Sequence, residues 1–424
     1  MNQRSSTPRR AISAAVTTFA ARWDVARTAD ERRLLEEDFN AAHPTNPVLG
    51  ALHTDANGER LVETTFLWRL PPRSPVPHDV MIHLNSVTDA HRDDITPALM
   101  TRIRDSSFWE LTYLLPDDLC ASYRVVVGAE QPIPRLGGAE RSSWLRIHEQ
   151  GRPDPRGVEQ LPNPLGTHSS VMTSPRAQRH PVWGDSAVVR GSSLWRCDVP
   201  TVGGAVRTLH VYRPHGDEPP RDLLVLFDGD VWRAMGVQDA LDRWSGGTIA
   251  AVLVSSVSPE RRAADLPHPG RIARILREEV LPVTFRELGK NYLPAETIVS
   301  GQSYGGLASA ALVAEHPDIA TRAIAQSPSF HFRAAEEPRR PDGQRGDVSS
   351  RLARTTATGR IVMTAGTNED GLLDQARIAR DDLATTPLRL DYREFTGGHD
   401  YAWWRHGLFW GLDVLFERPE VNHA

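Results

Sequence analysis

The chain of 424 residues is 40% hydrophobic and 24% charged, a balance that excludes a disordered or low-complexity protein and leaves room for two or three globular domains. A net charge of −5 removes the electrostatic case for nucleic acid or an anionic membrane as a partner. Two cysteines, Cys120 and Cys197, stand far apart with no Cys-x-x-Cys spacing, which argues against a disulfide framework and against a structural zinc site.

At the start, Arg9-Arg10 precede an apolar stretch over residues 11–21 that faintly resembles a twin-arginine signal. The run is short, diluted by Ser and Thr, and continues into Arg22-Trp23-Asp24 without a clear cleavage site, so a cytoplasmic location is expected. Residues 1–45 read as a helical segment, with Thr28 capping the stretch 30–39 and His43-Pro-Thr-Asn-Pro47 ending it. Strand-like pieces follow at 61–68, 79–84, 109–115 and 121–127, separated by Pro, Asp and Ser clusters, and predict an antiparallel β-sandwich domain over 46–150. It holds no Ser-His-acid set, so a scaffold or a substrate-facing cover is the expected role. Residues 151–190 are rich in Pro, Gly and Ser and read as a linker.

From Gly191 the pattern changes. Residues 223–228 and 249–254 are continuous apolar runs of the buried parallel type, and 208–213, 323–325, 361–364 and 390–395 supply further strands. Helical stretches lie between them, including 272–281. The expected architecture for 191–424 is an α/β-hydrolase domain, a mostly parallel sheet flanked by helices.

The chemistry centres on Ile298-Val-Ser-Gly-Gln-Ser-Tyr-Gly-Gly-Leu307, a strand end, a Gly-x-Ser-x-Gly turn and then a run of helix formers closed by Pro317. That context is a nucleophile elbow, with small residues two before and two after Ser303 letting the backbone turn sharply. A serine hydroxyl needs a base, and the base needs an orienting group. In this fold the chain order is Ser, acid, His. Among the later histidines, His316 lies in the helix leaving the elbow, His331 follows a predicted strand, and His406 is on a Trp-rich helix. His399, in Thr396-Gly-Gly-His-Asp400 after the last strand, is the candidate base. The acid is one of the adjacent pair Glu369 and Asp370 after strand 361–364, with Asp374 further along; helix capping is the other role open to Asp370. The oxyanion hole takes one backbone N–H from Tyr304 and a second from the Gly229–Asp230 region at the end of the first buried run.

These residues resemble the enterochelin (ferric enterobactin) esterases. The likeness is carried by Leu226-Phe-Asp-Gly-Asp-Val-Trp232, Arg262-Ala-Ala-Asp-Leu-Pro267, Gly301-Gln-Ser-Tyr-Gly-Gly306, Gly397-Gly-His-Asp-Tyr-Ala-Trp403 and, in the sandwich, Thr65-Phe-Leu-Trp-Arg69 with Phe108-Trp109. It implies a cytoplasmic serine esterase that cuts the trilactone of a ferric catecholate siderophore, with no cofactor and no protein-bound metal. It implies Ser303 as nucleophile, His399 as base and Glu369 as acid, three residues past Ala365-Gly366; Asp370 stays as the alternative because the following segment departs from the family pattern. Arg262 and Trp232 are then candidate substrate contacts, Arg262 having a salt bridge to Asp265 as its other expected role. Trp109 is the candidate contact from the sandwich, expected to close over the bulky anionic substrate. An esterase for another acyl or carbohydrate ester, and a siderophore-binding protein without turnover, are the rival readings.

Overall fold

Consecutive apolar residues such as Phe66-Leu67 and Val80-Met81-Ile82 give strands of the N-terminal half a buried side chain on each face of their sheet. In the computed structural model the described residues are 8–91, 93–135, 141–164, 166–184, 191–201, 204–216, 219–336 and 343–417. They divide into two compact units, one running to Gln178 and including Thr396–Ala402, the other comprising Arg179–Phe395 and the chain from Trp403.

The N-terminal unit contains β1 (Arg9–Arg10), α1 (Ala14–Val25), α2 (Ala29–Ala42), β2 (Val48–Thr54), β3 (Arg60–Arg69), β4 (Asp79–Leu84), β5 (Thr101–Arg102), β6 (Phe108–Pro116), β7 (Cys120–Gly128), α3 (Arg141–Gln150), β8 (Glu159–Pro162) and β9 (His168–Thr173). One sheet has the order β1-β6-β3-β2 with β5 on β6, the other β4-β7-β9-β8, and every pair is antiparallel. Phe66, Trp109, Leu111 and Tyr113 from the first sheet meet Val80, Ile82, Tyr123 and Met172 from the second to form the sandwich core. The alternate residues Leu67 and Phe108 point the other way, where Phe19, Trp23, Leu35 and Phe39 of α1 and α2 cover them. The helical segment is therefore a layer of this unit, and it is two helices separated at Ala26–Thr28. Thr28 closes a capping box: its hydroxyl accepts the Glu31 N–H at 3.2 Å and the Glu31 carboxylate accepts the Thr28 N–H at 3.0 Å.

The stretch expected as a linker contributes two strands to the sandwich. β8 and β9 extend the second sheet from β7, with Ala121 opposite Met172 and Leu161 opposite Ser169. Short strands rich in turn residues carry no periodicity of their own; pairing with β7 supplies the order. Residues 185–190 of that stretch lie outside the described residues.

The second unit contains β10 (Ser193–Pro200), β11 (Val206–Arg213), β12 (Asp222–Phe227), α4 (Gly229–Ala234), α5 (Val237–Arg243), β13 (Ile249–Val254), α6 (Pro259–Asp265), α7 (Pro269–Ile275), α8 (Leu281–Leu288), β14 (Thr297–Gln302), α9 (Tyr304–Glu315), β15 (Arg322–Gln326), α10 (Asp347–Leu352), β16 (Arg360–Gly366), α11 (Gly371–Leu383), β17 (Arg389–Phe395) and α12 (Tyr401–Leu415). The sheet order is β10-β11-β13-β12-β14-β15-β16-β17. β10, β11 and β13 pair antiparallel, and all pairs from β13 to β17 are parallel. This is the α/β-hydrolase arrangement, with strands β12 to β15 buried on both faces as their apolar runs require. The helix expected over 272–281 is interrupted by a π turn at Leu276–Val280 before α8, where Pro282 removes a backbone donor from the ladder. No helix among the described residues is long and apolar enough to cross a membrane.

If α1 and α2 are a true layer of the N-terminal unit, Phe39→Ala should be costly. Its ring lies 4.4 Å from that of Phe19 and 5.1 Å from that of Phe108. Urea unfolding should show a loss of about 3 kcal/mol; a loss within experimental error would mean the helices contribute nothing to this core.

Candidate active site

The elbow forms because β14 ends at Gln302 and α9 starts at Tyr304, leaving one residue to reverse the chain. That residue, Ser303, has φ 58° and ψ −119°, a conformation L-residues rarely adopt. The strain is held by backbone bonds: the Ser303 N–H donates to Gln326 O at 3.0 Å, and its carbonyl accepts from the Leu307 N–H at 3.0 Å and the Ser329 N–H at 3.2 Å. Gly301 is required here, since a Cβ on it would come 2.7 Å from the Gly305 carbonyl carbon. The Ser303 hydroxyl, half-buried, lies 3.2 Å from Ser329 Oγ. Ser329 belongs to no sequence motif; it stands in Ser327-Pro-Ser-Phe330, just after β15.

β12 runs parallel to β14 and stops at Phe227, so the Asp228–Gly229 turn and the elbow leave neighbouring strand ends. Tyr304 opens α9 and Gly229 opens α4, and first-turn N–H groups have no acceptor within their own helix. Both are therefore donors suited to an oxyanion. Asp230 is exposed in the first turn of α4. Asp228 itself adopts φ 56° and is buried. Its carboxylate accepts two bonds from Arg262, Nε to Oδ1 and Nη2 to Oδ2, both at 2.7 Å, one from Gln302 Nε2 at 2.8 Å and one from Ser256 Oγ at 3.0 Å.

Glu369 and Asp370 follow β16, and burial separates them. Glu369 is 6% exposed, and its Oε2 accepts the Gly366 N–H at 3.0 Å, whereas Asp370 is exposed and starts α11 at φ 43° without a side-chain capping bond. Asp374 is exposed on α11. The loop carrying Glu369 is latched to β17 by the Thr367 N–H, which donates to Phe395 O at 2.8 Å. His399 lies in the next segment, Thr396–Ala402, which leaves β17 and packs with the N-terminal unit. Of the other histidines, His406 is buried in α12 and accepts the His180 N–H at 2.9 Å; burial and the adjacent Arg405 hold its imidazolium well below the usual range. His316 is also depressed, by burial and then by Arg277.

Residues 63–183 match the family described as "Enterochelin esterase, N-terminal", and residues 204–413 match the family described as "Putative esterase". The chain is 26% identical to the iron(III) salmochelin esterase of Escherichia coli over 370 residues, covering 83% of this chain and 87% of that one. It is 25% identical to an iron(III) enterobactin esterase of Escherichia coli over 377 residues, covering 85% and 92%. The crystal structure of the enterobactin esterase from Shigella flexneri in the presence of enterobactin superposes with a TM-score of 0.76 at 25% identity, covering 90% of this chain and 98% of that one. The chain belongs to the enterochelin esterase family.

Packing corrects two expected substrate contacts of this esterase and one expected ion pair. Trp232 has no exposed surface and is core of the second unit. Trp109, 4% exposed, is sandwich core, with Trp68 edge-on at 5.1 Å and Arg102 over its ring. Arg262 pairs with Asp228 and not with Asp265, whose partners are Arg207 and Arg271. Its fork bonds both oxygens of a buried carboxylate, so it holds the Asp228 turn.

Arg262→Lys should consequently fail as a conservative change, because an ammonium cannot supply the two-pronged contact. A stability loss on the order of 2 kcal/mol is expected, discounted from a fully buried pair because the arginine is partly exposed. Thermal melts with the near-ultraviolet signal of the second unit would measure it, and an unchanged Tm would show that the pair is dispensable.

Proposed function

We propose that this esterase hydrolyses the ester bonds of a ferric catecholate trilactone by a serine mechanism. The observation that carries the reading is Ser303 in a strained left-handed elbow between β14 and α9, with buried Glu369 after β16 and His399 after β17, the order in which an α/β-hydrolase delivers its triad. In the proposed cycle His399 takes the proton from Ser303 Oγ as the oxygen attacks the lactone carbonyl. The tetrahedral oxyanion is held by the Tyr304 and Gly229 N–H groups. As the C–O bond breaks, His399 returns the proton to the leaving alcohol; it then activates water, which releases the acid from the acyl-enzyme. Glu369 orients the imidazole and stabilises its charged form, and its burial strengthens that interaction. Asp370, exposed one residue on, is turned to a different environment.

The substrate class rests on the relatives, whose names give iron(III) salmochelin and iron(III) enterobactin as what they hydrolyse. Iron enters with the substrate, and trilactone opening inside the cell would lower the ligand's hold on it.

Ser303→Ala should reduce kcat by about three orders of magnitude or more with siderophore binding nearly intact, since the triad acts as a unit. Retention of a tenth of the turnover would refute Ser303 as nucleophile. Glu369→Gln should cost up to about 10⁴-fold and far more than Asp370→Asn; the reverse ranking would move the acid to Asp370. Mass spectrometry of products from ferric and iron-free trilactones, beside rates on simple aryl esters, tests the substrate class: faster turnover of aryl esters than of any trilactone would exclude it.

A further inference from the structure

The segment carrying His399 is bonded along its length to the N-terminal sandwich. The His399 N–H donates to Ser86 Oγ at 3.1 Å, and Ser86 Oγ donates onward to Asn85 Oδ1 at 2.9 Å. Ser86 lies in the turn after β4 with φ 58°, and its own N–H donates to Asp89 Oδ2. The other oxygen of Asp89 accepts from Trp144 Nε1 at 2.8 Å and contacts His83 Nε2 at 3.1 Å, so the turn is braced from α3 and β4. One residue after the histidine, Asp400 accepts the Ser122 N–H of β7 with one oxygen and the Ala402 N–H, in the first turn of α12, with the other at 3.0 Å. The Cys120 N–H donates to Thr396 O at 3.1 Å. Gly398 fits against Ser86 so closely that a Cβ on it would lie 2.0 Å from Ser86 Oγ and 2.1 Å from Ser86 Cβ.

Resting on the reading of His399 as the general base, we propose that Ser86 and Asp400 are positioning residues of the esterase, fixing the backbone of the histidine loop to the sandwich. A base must be held to within about half an ångström of its productive geometry. Gly397-Gly398 immediately before His399 provides a chain with unusual freedom, which by itself works against that requirement. Ser86 binds the amide of His399 itself and Asp400 binds on the other side, so the Cα from which the imidazole projects is fixed from both directions. The sandwich thereby acts on the chemical step for every ester substrate, large or small.

The test uses the full-length protein. Ser86→Gly removes the acceptor while suiting the left-handed backbone, and leaves the N–H that binds Asp89. It should lower kcat about 10- to 100-fold, equally on a small aryl ester and on a ferric trilactone, with little change in KM. Gly398→Ala should do at least as much damage, and Ser86→Gly combined with Gly398→Ala, which removes both close atoms, should recover kcat above that of Gly398→Ala alone. A purely structural role would change Tm without this pair-specific recovery in kcat per folded molecule. Wild-type kcat in Ser86→Gly, or no recovery in the double variant, overturns the proposal. His399→Ala is measured alongside: an inactive His399→Ala with an unaffected Ser86→Gly rejects the positioning role alone, and a fully active His399→Ala rejects the base assignment and the positioning with it.

Discussion

One buried carboxylate joins the two strand ends on which the proposed chemistry depends. The ladder between β12 and β14 stops at Leu226 and Ser300, before either strand reaches its functional turn. Beyond it, Asp228 takes a bond from Gln302, the residue just before Ser303, while Arg262 satisfies both of its oxygens. Side chains continue the registration where backbone hydrogen bonds end. A lone carboxylate there would be costly to bury, and the fork of Arg262 offsets that cost with two charge-assisted bonds. The left-handed backbones of Asp228 and Ser303 are thus coupled: the turn that carries the proposed Gly229 donor and the turn that carries the proposed nucleophile are fastened to one group.

What was legible in the sequence is what local rules dictate. The elbow requires small residues at fixed offsets, the buried parallel strands require unbroken apolar runs, and a helix start favours a hydroxyl such as that of Thr28; all three stand in the structure where the pattern put them. β8 and β9 were illegible because four- and six-residue strands among prolines acquire their conformation from β7. Trp109 and Trp232 illustrate a different limit. A tryptophan beside a functional motif has the same identity whether it meets a ligand or fills a core, and only packing distinguishes the two. Arg262 illustrates a third. Asp265 stands three residues on in the same helix, but the carboxylate it bonds is 34 residues away, brought near by the sheet.

The two adjacent carboxylates after β16 were equivalent by spacing and are distinguished by environment. Glu369 turns inward and bonds to the backbone of its own loop, while Asp370 takes the strained backbone position that starts α11 and faces outward. A carboxylate shielded from water interacts more strongly with an imidazolium than an exposed one, which is why burial favours Glu369 for the orienting role.

The position of β17 explains why the histidine loop draws on the N-terminal unit. Ser303 leaves β14, a central strand with buried neighbours on both sides, and Glu369 leaves β16, which is also flanked on both sides. Among the described residues β17 is the edge of the sheet, paired only with β16 and partly exposed along most of its length. A glycine-rich loop leaving an edge strand has half the scaffold available to the other two. The bonds to Ser86, Ser122 and Cys120 make up that deficit, and they make the sandwich part of the support for the proposed base. Under that arrangement one of the three groups proposed for the chemistry depends on the N-terminal unit for its backbone support.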